Sequence, residues 1–248
     1  MAIDLTTISK NTAKKPRIAI YGPAGVGKTT FAACAPDPIF ILTEDGLGDI
    51  PAMKFPVSKT FQDVMDAIKI LYTGEHSYKT LVVDSLDWLE PLIWEAVCKR
   101  TNVSSIEDVK GGYGKGYVEA NKEWTEFLDG ITALRDKRDM LVILVAHSAV
   151  TTVNDPDQSS YDTHGLKLNK RAAALCTEYP DIVGFASWRT FVSIDDTDKK
   201  SRAVTTGERI LSVSPKPSRT AKNRFHMPEE IPLLWSEFEK HLPKKEGK

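Results

Sequence analysis

Residues 17–35 read Arg17-Ile-Ala-Ile-Tyr-Gly-Pro-Ala-Gly-Val-Gly-Lys-Thr-Thr-Phe-Ala-Ala-Cys-Ala35. An apolar strand (17–21) enters the loop Gly22-Pro23-Ala24-Gly25-Val26-Gly27-Lys28-Thr29, and an alanine-rich helical run begins at Thr30. The loop fits the pattern GxxxxGK[ST]. Its glycines let backbone N–H groups turn inward around phosphate oxygens, and the following helix points its positive end at the same place. Lys28 can reach the β- and γ-phosphates, and Thr29 can ligate Mg²⁺. Gly22 through Thr30 are therefore the candidate nucleotide ligands.

Working outward, apolar runs at 39–42 (Ile39-Phe-Ile-Leu42), 80–84 (Thr80-Leu-Val-Val-Asp84) and 140–146 (Met140-Leu-Val-Ile-Leu-Val-Ala146) have the continuous character of strands buried on both faces of a parallel sheet. Helical spacing is found at 60–73, 87–100, 117–137 and 167–177, and an amphipathic helix is expected over 231–242. Strands are expected near 181–188, 190–195 and 208–213, the last two joined through the acidic turn 195–198. The polar stretch 148–165 reads as one long loop. Strands alternating with helices behind a phosphate loop predict a doubly wound, mostly parallel α/β sheet, with antiparallel strands and a helix at its C-terminal end. The nucleotide is expected at the carboxyl ends of the strands. The expected organisation is a polar leader at 1–15, one ATPase domain at 16–230, and a helix with a basic tail at 231–248.

The chain has 248 residues, 41% hydrophobic and 27% charged, with a formal net charge of −1. No apolar run approaches the roughly 20 residues that span a bilayer, and the first residues do not resemble a secretory signal, so a cytoplasmic protein without membrane contact is expected. Cys34, Cys98 and Cys176 are widely spaced and fit free thiols better than disulfides or zinc. From Lys199 to Arg224 the only acid is Glu208, a local basic excess.

Asp84 ends its strand where a carboxylate supports Mg²⁺ in phosphate-loop enzymes, so Thr29 and Asp84 are the candidate metal residues. Glu44, at the end of the 39–42 strand, is placed to orient an attacking water, with Asp45 as its competitor. His147 follows the 140–146 strand and should emerge at the same sheet edge, where it could sense the γ-phosphate. No NKxD base-reading motif exists, so ATP is expected rather than GTP. A AAA+ machine with a helical lid domain is not expected, because a single helical stretch remains after the last strand.

The order of parts over roughly 17–226 resembles a RecA-type ATPase core. Thr43-Glu44-Asp45 is similar to the segment supplying the catalytic glutamate, Val-Val-Asp84-Ser85 to the metal strand, and Val-Ala-His147 to the γ-phosphate sensor position. Lys222-Asn-Arg224-Phe225 resembles the KNRF string of bacterial RadA, which implies that Lys222 and Arg224 reach into a neighbouring subunit's ATP site. The short core as a whole is most similar to the phage Sak-type single-strand annealing proteins. That resemblance implies a homo-oligomer acting on single-stranded DNA in recombination, with a single-strand-binding protein as a further partner. The segments 110–117 and 148–166 fall where the family places its DNA-binding loops. Tyr113 and Tyr117 offer rings on which bases can stack, or which pack beneath a surface loop, while Lys110, Lys115, Lys167, Lys170 and Arg171 offer charges for phosphates.

Overall fold

The computed structural model describes residues 13–157, 159–194 and 201–243, with the isolated residues 4, 8 and 10. A ten-stranded sheet forms its centre. The strands are β1 (Arg17–Gly22), β2 (Pro38–Leu42), β3 (Met53–Lys54), β4 (Thr80–Asp84), β5 (Leu141–Val153), β6 (Tyr161–Leu166), β7 (Ile182–Ile194), β8 (Ser201–Ser212), β9 (Lys222–Asn223) and β10 (Glu230–Pro232). The main path runs β10-β8-β7-β1-β5-β4-β2-β3. From β3 to β7 every neighbour is parallel, and β8 and β10 extend the sheet antiparallel. This is the doubly wound, mostly parallel arrangement with antiparallel C-terminal strands that the apolar runs predict.

The continuous hydrophobicity of the central strands follows from what covers them. Ala19, Tyr21, Leu81, Val83, Val142 and Leu144 face the cluster filled by α2 (Phe61–Thr73), α3 (Leu86–Thr101), α4 (Lys115–Arg138) and α5 (Lys170–Glu178). Ile18, Ile20, Val82, Ile143 and Val145 face the opposite cluster, with Phe31 of α1 (Lys28–Ala33) and Trp235 and Phe238 of α6 (Trp235–Phe238). Each Val, Leu, Ile or Phe among them taken from water contributes about 1.5–3 kcal/mol, which favours apolar residues on both faces of the strands. Helix α2 starts where its sequence says it should: Thr60 Oγ1 accepts from the Asp63 N–H while the Asp63 carboxylate accepts from the Thr60 N–H.

Three expectations are corrected. The stretch 148–165 is not a long loop. Strand β5 continues past the sheet through Ser148–Val153 and pairs antiparallel with β6, making a ribbon tipped by Asn154-Asp-Pro-Asp157. Its Val-Thr-Thr-Val run has β-branched residues that favour the extended chain over a coil. The helix expected over 231–242 is also shorter. Ile231 pairs with Leu211 in β10, and the helix begins only at Trp235, followed by a 3-10 turn over Glu239–His241. Pro232 pushes its predecessor Ile231 into extended backbone, which assigns that end to the sheet. The 181–195 region forms one strand, β7, instead of two, and the acidic turn at 195–198 lies outside the described residues.

Candidate functional site

The phosphate loop emerges at the carboxyl end of β1, between β5 and β7. Its first glycine is required sterically: a Cβ on Gly22 would lie 2.2 Å from the Ala186 carbonyl oxygen of β7. Gly25 and Gly27 have φ of 75° and 102°, backbone that lets successive N–H groups converge. Lys28 is buried, and its Nζ donates to the carbonyl oxygens of Gly22 and Pro23, both at 2.9 Å. Burial lowers its pKa, while the charges of Asp84, Asp87 and Glu44 oppose that shift. The ammonium thus spans the mouth of its own loop.

β4 lies one strand beyond β5 and carries Asp84 to the same edge, where Thr29 Oγ1 donates to Asp84 Oδ2 at 2.7 Å. Burial raises the Asp84 pKa; the hydrogen bond from Thr29 opposes this and the charge of Glu44 adds to it. A hydroxyl and a carboxylate so joined, beside a loop of inward N–H groups, are a donor set suited to Mg²⁺ held together with nucleotide phosphates. Glu44 comes from the end of the adjacent β2. Its Oε1 accepts from Ser85 Oγ at 2.9 Å, and Ser85 is pinned in turn by Thr43, whose Oγ1 accepts from Ser85 N–H at 2.8 Å and donates to Ser85 C=O at 2.7 Å. Glu44 is half-buried, whereas Asp45 is exposed.

His147 ends the sheet portion of β5. Asp87, in the first turn of α3, accepts the His147 backbone N–H on Oδ1 at 2.9 Å and faces ring Nδ1 with Oδ2 at 2.8 Å. An ionised carboxylate only accepts, so Nδ1 carries a proton and Nε2 is left for another partner. Sequence reasoning did not find this pairing or the Ser85–Glu44 bond. The signal was the short Asp84-Ser-Leu-Asp87 spacing, which places both residues on the turn from strand to helix.

Lys222 and Arg224 lie at the opposite rim. Lys222 Nζ donates to the Glu178 carbonyl oxygen, and Arg224 pairs with Asp181 at 3.0 Å. Asp181 also receives the backbone N–H and guanidinium of Arg17. Burial pushes the Asp181 pKa up, but those hydrogen bonds and the charges of Arg17 and Arg135 outweigh it, and the net shift is downward. Arg17 starts β1 and Gly22 ends it, so the pair sits about 16 Å from its own phosphate loop, at about 3.3 Å per strand residue. It does not reach that loop.

The residues considered for DNA divide into two groups. Tyr113, Tyr117, Lys170 and Arg171 line one groove of about 620 Å³, together with Asn121 and Asn169. Tyr113 is 98% exposed at the tip of a segment, Lys110 to Gly114, in which every residue has positive φ. Tyr117 is half-committed to the fold: its ring packs edge-on against Trp94 and its hydroxyl donates to Glu107. Lys115 and Lys167 are exposed outside the groove lining, and Lys110 is ion-paired with Glu119. Within the basic stretch, Lys216 and Arg219 pair with Glu229, and Arg219 also meets Glu230.

A family profile spans residues 14–225, from just before β1 to just past β9. The chain belongs to the AAA domain family. This AAA domain closes, among the described residues, on β8 to β10 and the short α6 without a helical lid. The chain is 27% identical over 198 residues to the SPbeta prophage-derived uncharacterized protein YorG of Bacillus subtilis (strain 168). That alignment takes in 75% of this chain and 56% of the relative, so the chain spans little more than half of YorG. Among solved structures, the crystal structure of the RadB recombinase aligns over 89% of this chain and 88% of its own, with 12% identity and a TM-score of 0.48. The AAA domain is a P-loop ATPase fold, and no helix among the described residues is long and apolar enough to cross a membrane.

Proposed function

We propose that this P-loop protein hydrolyses Mg-ATP and couples that turnover to single-stranded DNA, in recombination of phage type. Gly22 to Thr30 and Lys28 hold the triphosphate, Thr29 and Asp84 hold Mg²⁺, Glu44 orients the attacking water, and His147 responds to the γ-phosphate. Mg²⁺, when bound, neutralises charge on the phosphate oxygens. Lys222 and Arg224 serve the site of an adjoining subunit, and their distance from their own loop supports that reading.

The observation that carries the DNA reading is the groove. Aromatic and basic residues from two separate segments meet there, as a single-strand site requires of its stacking rings and backbone charges. The groove is tied to the ATP site through α3. Asp87 near the start of that helix grips His147, and Glu90, one turn on, accepts the N–H of Asn169, the N-cap of α5. Steady-state ATPase measurements with and without single-stranded DNA test the proposal. Turnover stimulated by DNA supports it, ATP binding without turnover points to a nucleotide-controlled scaffold, and turnover indifferent to DNA removes the coupling.

A further inference from the structure

The phosphate loop has a neighbour on the flank away from the carboxylates. A Cβ on Gly27 would lie 2.5 Å from Nη1 and 3.5 Å from Cζ of Arg209, so the arginine head already fills the space that a side chain there would take. Arg209 comes from β8, two strands from β1 on the β7 side, whereas Asp84 and Glu44 come from β4 and β2 on the β5 side. The loop is thus flanked by acid and metal chemistry on one side and by a guanidinium on the other. Among the described residues Arg209 has no carboxylate partner. Arg189, which lines the same cavity, pairs with Glu208 and Glu230.

The placement of Arg209 is built into the sheet. It stands opposite Trp188, at a bulge where the step from Trp188 to Thr190 is matched by the longer step from Thr205 to Arg209, with Gly207 at φ 77°. Bulges of this kind re-aim side chains beside active sites. The Arg209 carbonyl is fixed by the Leu233 N–H at 2.9 Å. Arg209 also lines a cavity of about 440 Å³, whose wall combines Ile210, Pro232, Leu233 and the exposed Leu234 with Gly207 and the ion-paired Arg189 and Glu208. That volume suits a small ligand, since such sites measure about 300–1,000 Å³ and join apolar walls to a few polar groups that fix orientation.

We infer that this cavity is the nucleoside subsite of the bound ATP and that Arg209 joins it to the phosphates, gripping the α-phosphate from within the same subunit. Metal and water act on the terminal phosphates beside Asp84 and Glu44, which leaves the opposite flank to the nucleoside end. A planar fork of N–H donors matches a phosphate bidentately, and the apolar wall offers a surface for the face of a base. The inference rests on the phosphate loop being an ATP site.

Calorimetric titration of the full chain with Mg-ATP and with Mg-tripolyphosphate tests it, because the second probe has the phosphates and lacks the nucleoside. The wild type is expected to bind ATP more tightly than tripolyphosphate. Leu234→Glu should weaken ATP by about tenfold and leave tripolyphosphate unchanged, whereas Arg209→Ala should weaken both by about tenfold, with partial recovery in Arg209→Lys. Leu234→Ser provides a milder variant, and circular dichroism verifies folding. Wild-type ATP affinity in the Arg209→Ala or Leu234→Glu protein overturns the assignment while the ATP site stands. Failure of the wild type to bind ATP overturns the ATP reading and this inference with it.

Discussion

Asp87 holds His147 at both its backbone N–H and its ring, at 2.9 and 2.8 Å, and so fastens the start of α3 to the point where β5 leaves the sheet. From His147 onward β5 becomes the ribbon with β6, and the Lys167 N–H closes the base of that ribbon on the His147 carbonyl oxygen at 2.9 Å. Asp84 lies three residues before Asp87. A shift in the nucleotide edge therefore has a short covalent and hydrogen-bonded route to the ribbon and, through Glu90 and Asn169, to the groove.

Asp87→Asn should interrupt that route with the phosphate ligands intact. ATP affinity should stay close to that of the wild type, while the ratio of turnover with single-stranded DNA to turnover without it falls by about tenfold, within the usual range of coupling between sites. An unchanged ratio in the variant would show that the Asp87–His147 contact only supports the fold.

Position at the strand end favours Glu44 over its competitor Asp45, and their surroundings separate them further. Glu44 is anchored by Ser85 and contributes to the field at Lys28; Asp45 is exposed. Glu44→Gln is expected to bind ATP and to lose about 100-fold or more of its turnover, the size of effect associated with a positioned base. Asp45→Asn should retain most activity. The reverse pattern in single-turnover assays moves the role to Asp45.

What could be read from the sequence was whatever is encoded locally. The strand-loop-helix order of 17–35, the unbroken apolar runs of β2, β4 and β5, and the strand-end acids are each contained in a few neighbouring residues. What could not be read depends on register between distant strands. Arg209 meets Gly27 only because β8 adds antiparallel to β7, which adds parallel to β1. Glu90, six residues beyond Asp84, meets the N–H of Asn169, 79 residues further along the chain, and no local pattern announces that contact. The ribbon was hidden for a different reason, since Ser148–Val153 is polar enough to resemble a loop and reveals its pairing only with β6 in place.

Glu90 should leave a signature in the pH dependence of stability. Burial pushes its pKa up from 4.5 to about 7, with the Asn169 N–H opposing the shift. The folded protein therefore binds this proton more tightly than the unfolded chain, so the stabilisation is complete at pH below about 4.5 and is lost as pH rises through 7. Glu90→Gln should flatten the fall in melting temperature between pH 5.5 and 8 and raise the value at pH 8 by about 2–4 °C, roughly the effect of 1 kcal/mol on a domain of this size. Thermal unfolding of both proteins at the two pH values decides it; parallel curves would mean that Glu90 does not hold this proton.

The groove makes separable claims for its aromatic and basic walls. Arg171→Ala should lower the salt dependence of single-strand binding by about one unit of slope, because one phosphate contact and its counterion release are lost. Tyr113→Ala should weaken binding by about 1–3 kcal/mol with the slope unchanged, as loss of a stacking platform does. Lys115→Ala and Lys167→Ala, outside the groove lining, should do less. Fluorescence anisotropy with a labelled oligonucleotide across a salt series is the measurement, and equal losses from all four variants would replace the groove with diffuse surface attraction.

The basic pair at the far rim has both a structural and a catalytic explanation, and the two predict different mixtures. If Arg224 mainly completes the Asp181 ion cluster, its loss should cost little, since its side chain is half exposed and Arg17 and Arg135 still face that carboxylate. Turnover would then be close to normal. If Arg224 instead serves a neighbour's ATP, Arg224→Ala should lower turnover far more than ATP affinity, because charge added from outside the subunit matters most as the γ-phosphate loosens. Mixing Arg224→Ala with Glu44→Gln subunits then provides the test. In an assembly of both, some interfaces pair an intact Glu44 with an intact Arg224 from the other variant, and part of the activity should return. The recovery should pass through a maximum at intermediate ratios. Mixtures of exchanging subunits that stay inactive at every ratio would rule out the cross-subunit role and leave the pair to the ion cluster alone.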